Sequence, residues 1–162
     1  MCVGVVSALV EWPLVLPPAV MGLSLLLLFG GESWLGQGLE TIGVQLPFTS
    51  AAVVLAQLTV GAPYYVQSTA AALRTVSTES LEVAQTLGAS DLQQWRWVII
   101  PQALAGMVSG AMLCWARALG EFGATLVFAG SLQGVTRTMP VAIYSALASD
   151  LSLSLALAAI YV

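Results

Sequence analysis

Lysine and histidine are both absent from this 162-residue chain. Charge of either sign is scarce. Four basic residues, all of them arginine, and eight acids make up 7% of the sequence, against about 25% in ordinary soluble domains. Each absence removes a class of chemistry. Without lysine the chain has no Walker A loop, whose lysine must reach the nucleotide phosphates. Without histidine it has neither a histidine general base nor a histidine-ligated zinc site. Its two cysteines, Cys2 and Cys114, lie far apart in sequence and supply no disulfide framework. The first basic residue is Arg74, so the positively charged start of a secretory signal is missing. A net charge of −4 offers nothing to nucleic acid.

What is present is apolar surface. Hydrophobic residues are 59% of the chain and the mean hydropathy is +0.93. A soluble fold of this length has too much surface for so few polar atoms to cover, so lipid is the expected solvent. An uncharged stretch at 12–30 is long enough to span, with Pro17 and Pro18 expected to kink or break its helix. Residues 31–49, rich in glycine and carrying Glu32 and Glu40, are expected to be a loop. A second span is expected at 50–67, with Tyr64 and Tyr65 at its interface, and a third at 98–128 with its helix running on past Arg117. Residues 129–150 form a mixed loop, and 151–162 is apolar but too short to cross. Residues 1–10 have the character of the remnant of an earlier span.

The long polar interval, 68–97, stands apart from the rest. Arg74 and Arg96 flank it while the 31–49 loop carries only acids, so the positive-inside rule places the interval in the cytoplasm and the 31–49 and 129–150 loops outside. Within it, Thr78 to Leu87 is expected to form a helix with Glu79 and Glu82 near the favourable end of the dipole. Gly88 stands where a C-cap wants a positive φ. Ser90-Asp91-Leu92-Gln93 matches a capping box that starts a second helix, with Trp95 and Trp97 at the membrane boundary. Pro101 is expected early in the next span, where a missing N–H costs least. The interval is therefore expected as a helix–turn–helix on the cytoplasmic face.

Glu82-Val83-Ala84, then Gly88, then Val98-Ile99-Ile100-Pro101 resemble the Glu-Ala-Ala loop of ABC importer permeases, with Val83, Val98 and Ile100 as conservative replacements. A second run narrows the resemblance. Ala116-Arg117-Ala118-Leu119-Gly120-Glu121-Phe122-Gly123-Ala124-Thr125, followed by Gly134 to Tyr144, is similar to the molybdate permeases of the molybdate/sulfate group, and Leu14 to Pro18 to the start of that family's third span. The resemblance covers roughly residues 7 to 162. The family's N-terminal spans are absent and the last span stops short, as in an N- and C-terminally truncated member.

The resemblance implies an all-α polytopic bundle, a type I importer permease fold in part, forming one permease domain over 1–162 in the plasma or inner membrane. It implies an ATPase-coupling set of Glu82, Val83, Ala84, Gly88 and Pro101 that docks on a cytoplasmic ABC ATPase. The chain itself is then no enzyme and carries no cofactor, with ATP held on the partner. A second permease copy completes a dimer around a central path, and an external oxyanion-binding protein delivers molybdate, tungstate or sulfate. Gly106-Met107-Val108-Ser109-Gly110 is a GxxxG pattern that permits close helix packing, for which the family implies a second copy.

Ionisable residues inside a span are costly and usually functional. Arg117, Glu121 and Thr125, with Arg137 in the following loop, are therefore the candidates for the pathway or gate. Arg117 and Glu121, four residues apart, equally suit an intrahelical ion pair. Arg137, expected outside, suits contact with an anion or a binding protein, though a solvated loop arginine is the commoner case. Two other functional classes remain open: a degenerate permease fragment that assembles without transporting, and an ion-driven secondary transporter. The latter usually carries inverted repeats, and none is visible here.

Overall fold

The computed structural model describes residues 10–161. Of the described residues 76% are helical, and no strand occurs among them. A helical turn over 10–15 leads to α1 (Pro18–Phe29) and α2 (Trp34–Thr41). These are followed by α3 (Ser50–Arg74), α4 (Thr78–Thr86) and α5 (Asp91–Gln94). A π-helical turn over Trp95–Ile99 leads into α6 (Ile100–Leu119). The chain then continues through α7 (Gly123–Phe128), α8 (Met139–Leu147) and α9 (Leu151–Tyr161). Two compact units result, one from residues up to Val60 together with Arg117 onward, the other Gly61–Ala116.

In the first unit, Pro17 is extended at φ −55°, ψ 137° and α1 begins at Pro18. The expected proline break in the first span is therefore present, and it leaves α1 only 12 residues long. The expected loop at 31–49 is corrected in part, because Trp34–Thr41 is helical. Ser33 explains why. Its hydroxyl is shared between the Leu28 and Gly30 carbonyls at 2.5 and 2.9 Å and accepts the Gly36 N–H at 2.8 Å. It thus ends one helix and caps the next, and the two arms meet at a bend of 56°.

The core of this unit gathers Met21 and Leu25 of α1, Ala52, Ala56 and Val60 of α3, and Ala124, Phe128 and Ala129 at α7. Small residues let the backbones approach. A Cβ at Gly22 would lie 2.7 Å from the Ala124 carbonyl oxygen, and one at Gly123 3.0 Å from the Ala19 nitrogen. Asp150 opens α9. Its carboxylate accepts the Ser152 hydroxyl at 2.5 Å and the Leu153 N–H at 3.1 Å, and these bonds hold its pKa below the usual aspartate value. That cap is in force above the ordinary aspartate range and is lost as the pH falls through the depressed pKa.

The second unit contains the later part of α3, the polar interval and most of α6. The second span was expected to stop at 67, but its helix continues to Arg74 with Pro63 inside it. The glycine pair of the GxxxG pattern is used within the chain. A Cβ at Gly106 would collide with the Ala72 side chain, and one at Gly110 would lie 2.8 Å from Ser68 Cβ. The Ser68 hydroxyl donates to the Gly106 carbonyl at 2.9 Å. The implied packing of this face on a second copy is therefore corrected, because α3 of the same chain occupies it. The reason is that α3 presents the small side chains of Ser68 and Ala72, with the Tyr65 carbonyl, to the two glycines.

The third span is corrected as well. The helix from Asp91 is continuous to Leu119, 29 residues in all, and stops there instead of running to 128. Gly120–Phe122 break it, and α7 is a separate short helix. By length and apolarity Asp91–Leu119 can cross a membrane, as can α1 and α2 if they form one bent span. α3 has the length, with 25 residues, but Gln57, Pro63, Tyr64 and Tyr65 dilute its apolar run. α9, with 11 residues, is too short, as expected. The apolar stretch at 1–10 lies almost wholly outside the described residues.

Two glycine substitutions separate close packing from simple helix propensity. Gly22→Ala is expected to cost about 1–3 kcal/mol, because backbone, not a movable side chain, fills the space. Gly38→Ala, in α2 with no atom within 4 Å of the new methyl, is expected to stabilise by about 0.5–1 kcal/mol. Thermal unfolding in detergent measures both.

Candidate coupling surface and the buried ion pair

The polar interval folds as the sequence predicts, with tighter ends than expected. Ser77 caps α4, its hydroxyl accepting the Ser80 N–H at 3.2 Å, and Glu79 lies in the first turn. The helix then closes in a Schellman turn. The Gly88 N–H donates to the Gln85 carbonyl at 2.9 Å and the Ala89 N–H to the Ala84 carbonyl at 3.0 Å. Gly88 holds φ +80°, the left-handed conformation the turn requires. One residue later the capping box is complete. Ser90 Oγ accepts the Gln93 N–H at 3.4 Å, and Gln93 Oε1 accepts the Ser90 N–H at 2.8 Å.

These turns bring Glu82, Val83, Ala84 and Gly88 onto one short outcrop. No residue of α4 is buried. Val83 is 53% exposed, Leu87 81% and Trp97 71%. An open groove lies between the turn and the π-helical segment, lined by Ala84, Leu87, Gly88, Gln93, Trp97 and Val98. The Arg96 guanidinium stands 5.6 Å from the centre of the Trp97 ring. The helix is held at both ends, has Ser80, Leu81 and Ala84 only half-buried, and leaves its other residues exposed.

Pro101 departs from its expected place. It lies well inside the continuous helix, and the π-helical turn directly precedes it. The Ile100 N–H donates to the Trp95 carbonyl, five residues back. A proline ring inside a helix clashes with the carbonyl four residues earlier and offers it no N–H. Widening the turn relieves both.

Sequence reasoning missed three residues here. Ser77 had a signal, a hydroxyl residue three positions before Ser80 at a helix start. Gln94 and Gln102 had none. Gln102 Oε1 accepts the Ser77 N–H at 3.1 Å and Gln94 Nε2 donates to the Ala89 carbonyl at 3.1 Å, contacts that depend on how the helices meet.

The second candidate set lies in the other unit. Arg117 Nη1 is 2.9 Å from Glu121 Oε2, so the ion pair read from the sequence forms. It is not an intrahelical pair, since Glu121 lies beyond the end of α6. Its other oxygen accepts the Ala124 N–H at 2.7 Å, which makes the carboxylate the cap of α7. The Glu121 side chain is 1% exposed and that of Arg117 29%. The buried Thr125 hydroxyl is spent on backbone, at 3.3 Å from the Glu121 carbonyl and 2.9 Å from that of Phe122. Arg117, Glu121 and Thr125 are thus brought together. Arg137 is held instead in its own loop, Nε to the Ser131 hydroxyl at 3.1 Å and Nη2 to the Ser131 carbonyl at 3.3 Å. Among the described residues no group of histidine, cysteine or acidic side chains is arranged to hold a metal ion.

Comparison with known proteins decides the family. The model for binding-protein-dependent transport system inner membrane components matches residues 4–162. The chain belongs to this family. It is a membrane protein of the transport-component kind, and its all-α fold is the family's. It is 49% identical over 154 residues to the molybdenum transport system permease protein ModB of Mycobacterium tuberculosis, covering 95% of this chain and 58% of that protein. It is 42% identical over 156 residues to a probable transport system permease protein NifC of Clostridium pasteurianum, covering 96% and 54%. The Escherichia coli ModB protein is 35% identical over 143 residues, covering 88% and 62%. The chain therefore spans somewhat over half the length of these relatives.

Two substitution pairs probe these sites. Gly88→Ala places a methyl in open space, so its expected cost, roughly 1–2 kcal/mol, is that of a left-handed backbone alone, and Gly88→Asn costs less. Faster amide exchange at Ala89 reports it. Glu121→Ala strands the Ala124 N–H and the Arg117 guanidinium and is expected to cost roughly 1–3 kcal/mol. Glu121→Gln, which keeps an acceptor for the amide, costs less, and thermal unfolding in detergent ranks the two.

Proposed function

We propose that this chain is the permease subunit of an ATP-driven importer for molybdate or a related oxyanion, multi-pass in the plasma or inner membrane. ATP hydrolysis takes place on a separate ABC ATPase, and the Glu82–Gly88 outcrop receives the motion of that partner. The observation that carries the reading is α4 itself: a helix with no buried residue, tied at both ends, bearing Glu82, Val83 and Ala84 before a left-handed Gly88. The names of the relatives support the substrate class. The lack of lysine supports a separate ATPase, since a Walker A loop cannot be built here.

The mechanism follows from these parts. ATP binding closes a pair of ATPases, each gripping the 78–97 segment of one of two permease copies. The segment is bonded to α6 through Ser77 and Gln102, so the displacement passes into the long helix. The path then opens outward to a binding protein that supplies affinity for the dianion. Tight anion binding in the path would stall release. Arg117 suits that demand, because Glu121 balances its charge while the guanidinium keeps partial exposure. Arg137, exposed in its loop, suits a contact with the arriving anion or its carrier.

ATP-dependent molybdate uptake into vesicles carrying the full-length protein and its ATPase tests the reading, with tungstate and sulfate as competitors. Glu82→Lys is expected to lower uptake at least roughly tenfold, a modest loss of interaction at the docked surface. Normal uptake by this variant, or protease access placing 78–97 outside the cell, would remove the coupling assignment.

A further inference from the structure

The buried side of the long helix changes its spacing at one place. Along α6 the sheltered positions Ala103, Gly106, Gly110 and Cys114 recur every three or four residues, as one face of an α-helix must. Upstream the half-buried Val98 and Ile99 lead to buried Gln94, and from Ile99, which continues the Ala103 face, that step is five residues. It coincides with the π-helical turn Trp95–Ile99.

Regular α-helix would give a different result. Nine residues separate Gln94 from Ala103, and in an α-helix nine residues make about two and a half turns. Gln94 would then lie on the side opposite Ala103. The π turn absorbs the equivalent of one residue, which rotates everything upstream by roughly 100° and carries Gln94 round toward the sheltered side.

That rotation matters because α4 is tied on both sides of the π turn. Gln102, downstream, accepts the Ser77 N–H at the start of α4. Gln94, upstream, donates to the Ala89 carbonyl just past its end. The Gln94 bond joins α4 to the upstream segment and turns with it, so the Ser77–Gln102 bond across the π turn forms only at one rotational phase of that segment against α6. Pro101 holds that phase, because its ring excludes the α-helical position of the Trp97 carbonyl and withholds the N–H that would bond it.

We propose that Pro101 is a positioning residue: through the π turn it fixes the rotational phase between the α4–α5 outcrop and the α3-facing side of α6. The functional half of this inference, that correct phase presents Glu82–Ala84 to an ATPase, rests on the coupling reading above.

Thiol labelling in membranes carrying the full-length protein, with Cys2 and Cys114 replaced by serine, tests the phase independently of transport. With Gln94→Cys as reporter and Pro101 intact, maleimide labelling is expected to be slow. Pro101→Ala lets the turn revert to α-helix and is expected to speed labelling roughly tenfold as position 94 rotates outward. Deleting Val98 in the Pro101→Ala background removes the surplus residue, restores the phase in a regular α-helix, and is expected to return labelling to the slow rate. Ala103→Cys, placed instead as a packing control, is expected to stay protected in every background. Protection of position 94 in Pro101→Ala, failure of the deletion to restore it, or labelling at position 103 would each overturn the inference. Molybdate uptake in the same variants reports on coupling separately. If labelling follows the expected pattern and uptake is unchanged throughout, the phasing holds and the coupling reading falls.

Discussion

Every interruption of a helix in apolar surroundings frees backbone groups that water cannot satisfy, and the chain must answer them itself. Several of the few polar side chains are placed at interruptions. Ser33 serves both helices at the α1–α2 bend. Thr49 accepts the Ala52 N–H where α3 starts, and Ser90 with Gln93 closes the box that starts α5. Where α6 stops, the Tyr161 hydroxyl donates to the Leu119 carbonyl at 2.6 Å, and Glu121 takes up the Ala124 amide. At several helix breaks a named side chain takes up the freed backbone groups, and at Gly88 the backbone does so itself.

The same economy separates the two candidate sites. At the outcrop the backbone satisfies itself, through the Schellman turn and the capping box, and so leaves the side chains of Glu82, Val83 and Leu87 uncommitted. At Glu121 the reverse holds. The carboxylate is spent on structure, one oxygen on an amide and one on Arg117, and the remaining chemistry belongs to the guanidinium. An exposed surface with spare side chains suits docking, whereas a neutralised arginine suits a weak encounter with an anion.

Much of the outcrop was legible in the sequence because its determinants are local. A serine three residues before a glutamine, and a glycine at the end of a short helix, act over one turn of chain. The breaks were less legible. Trp34–Thr41 has two glycines and little periodicity, and it is helical because Ser33 caps it against the end of α1. The stop at Leu119 was hidden by an uninterrupted apolar run, and Glu121 looked like a partner within one helix until its second oxygen proved to cap the next.

Composition by itself pointed to lipid as the solvent, and the local sequence to a closed helical turn over 82–88. These follow from residue types and from interactions within a few positions. Only the tertiary structure decided where Pro101 lies in its helix, which face meets the Gly106–Gly110 pair, and what Glu121 holds. Each of those depends on contacts between segments distant in sequence or on the accumulated rotation of a long helix. Rotation along a helix is cumulative, so one widened turn resets the facing of every residue before it, and a local pattern records only the type of each residue.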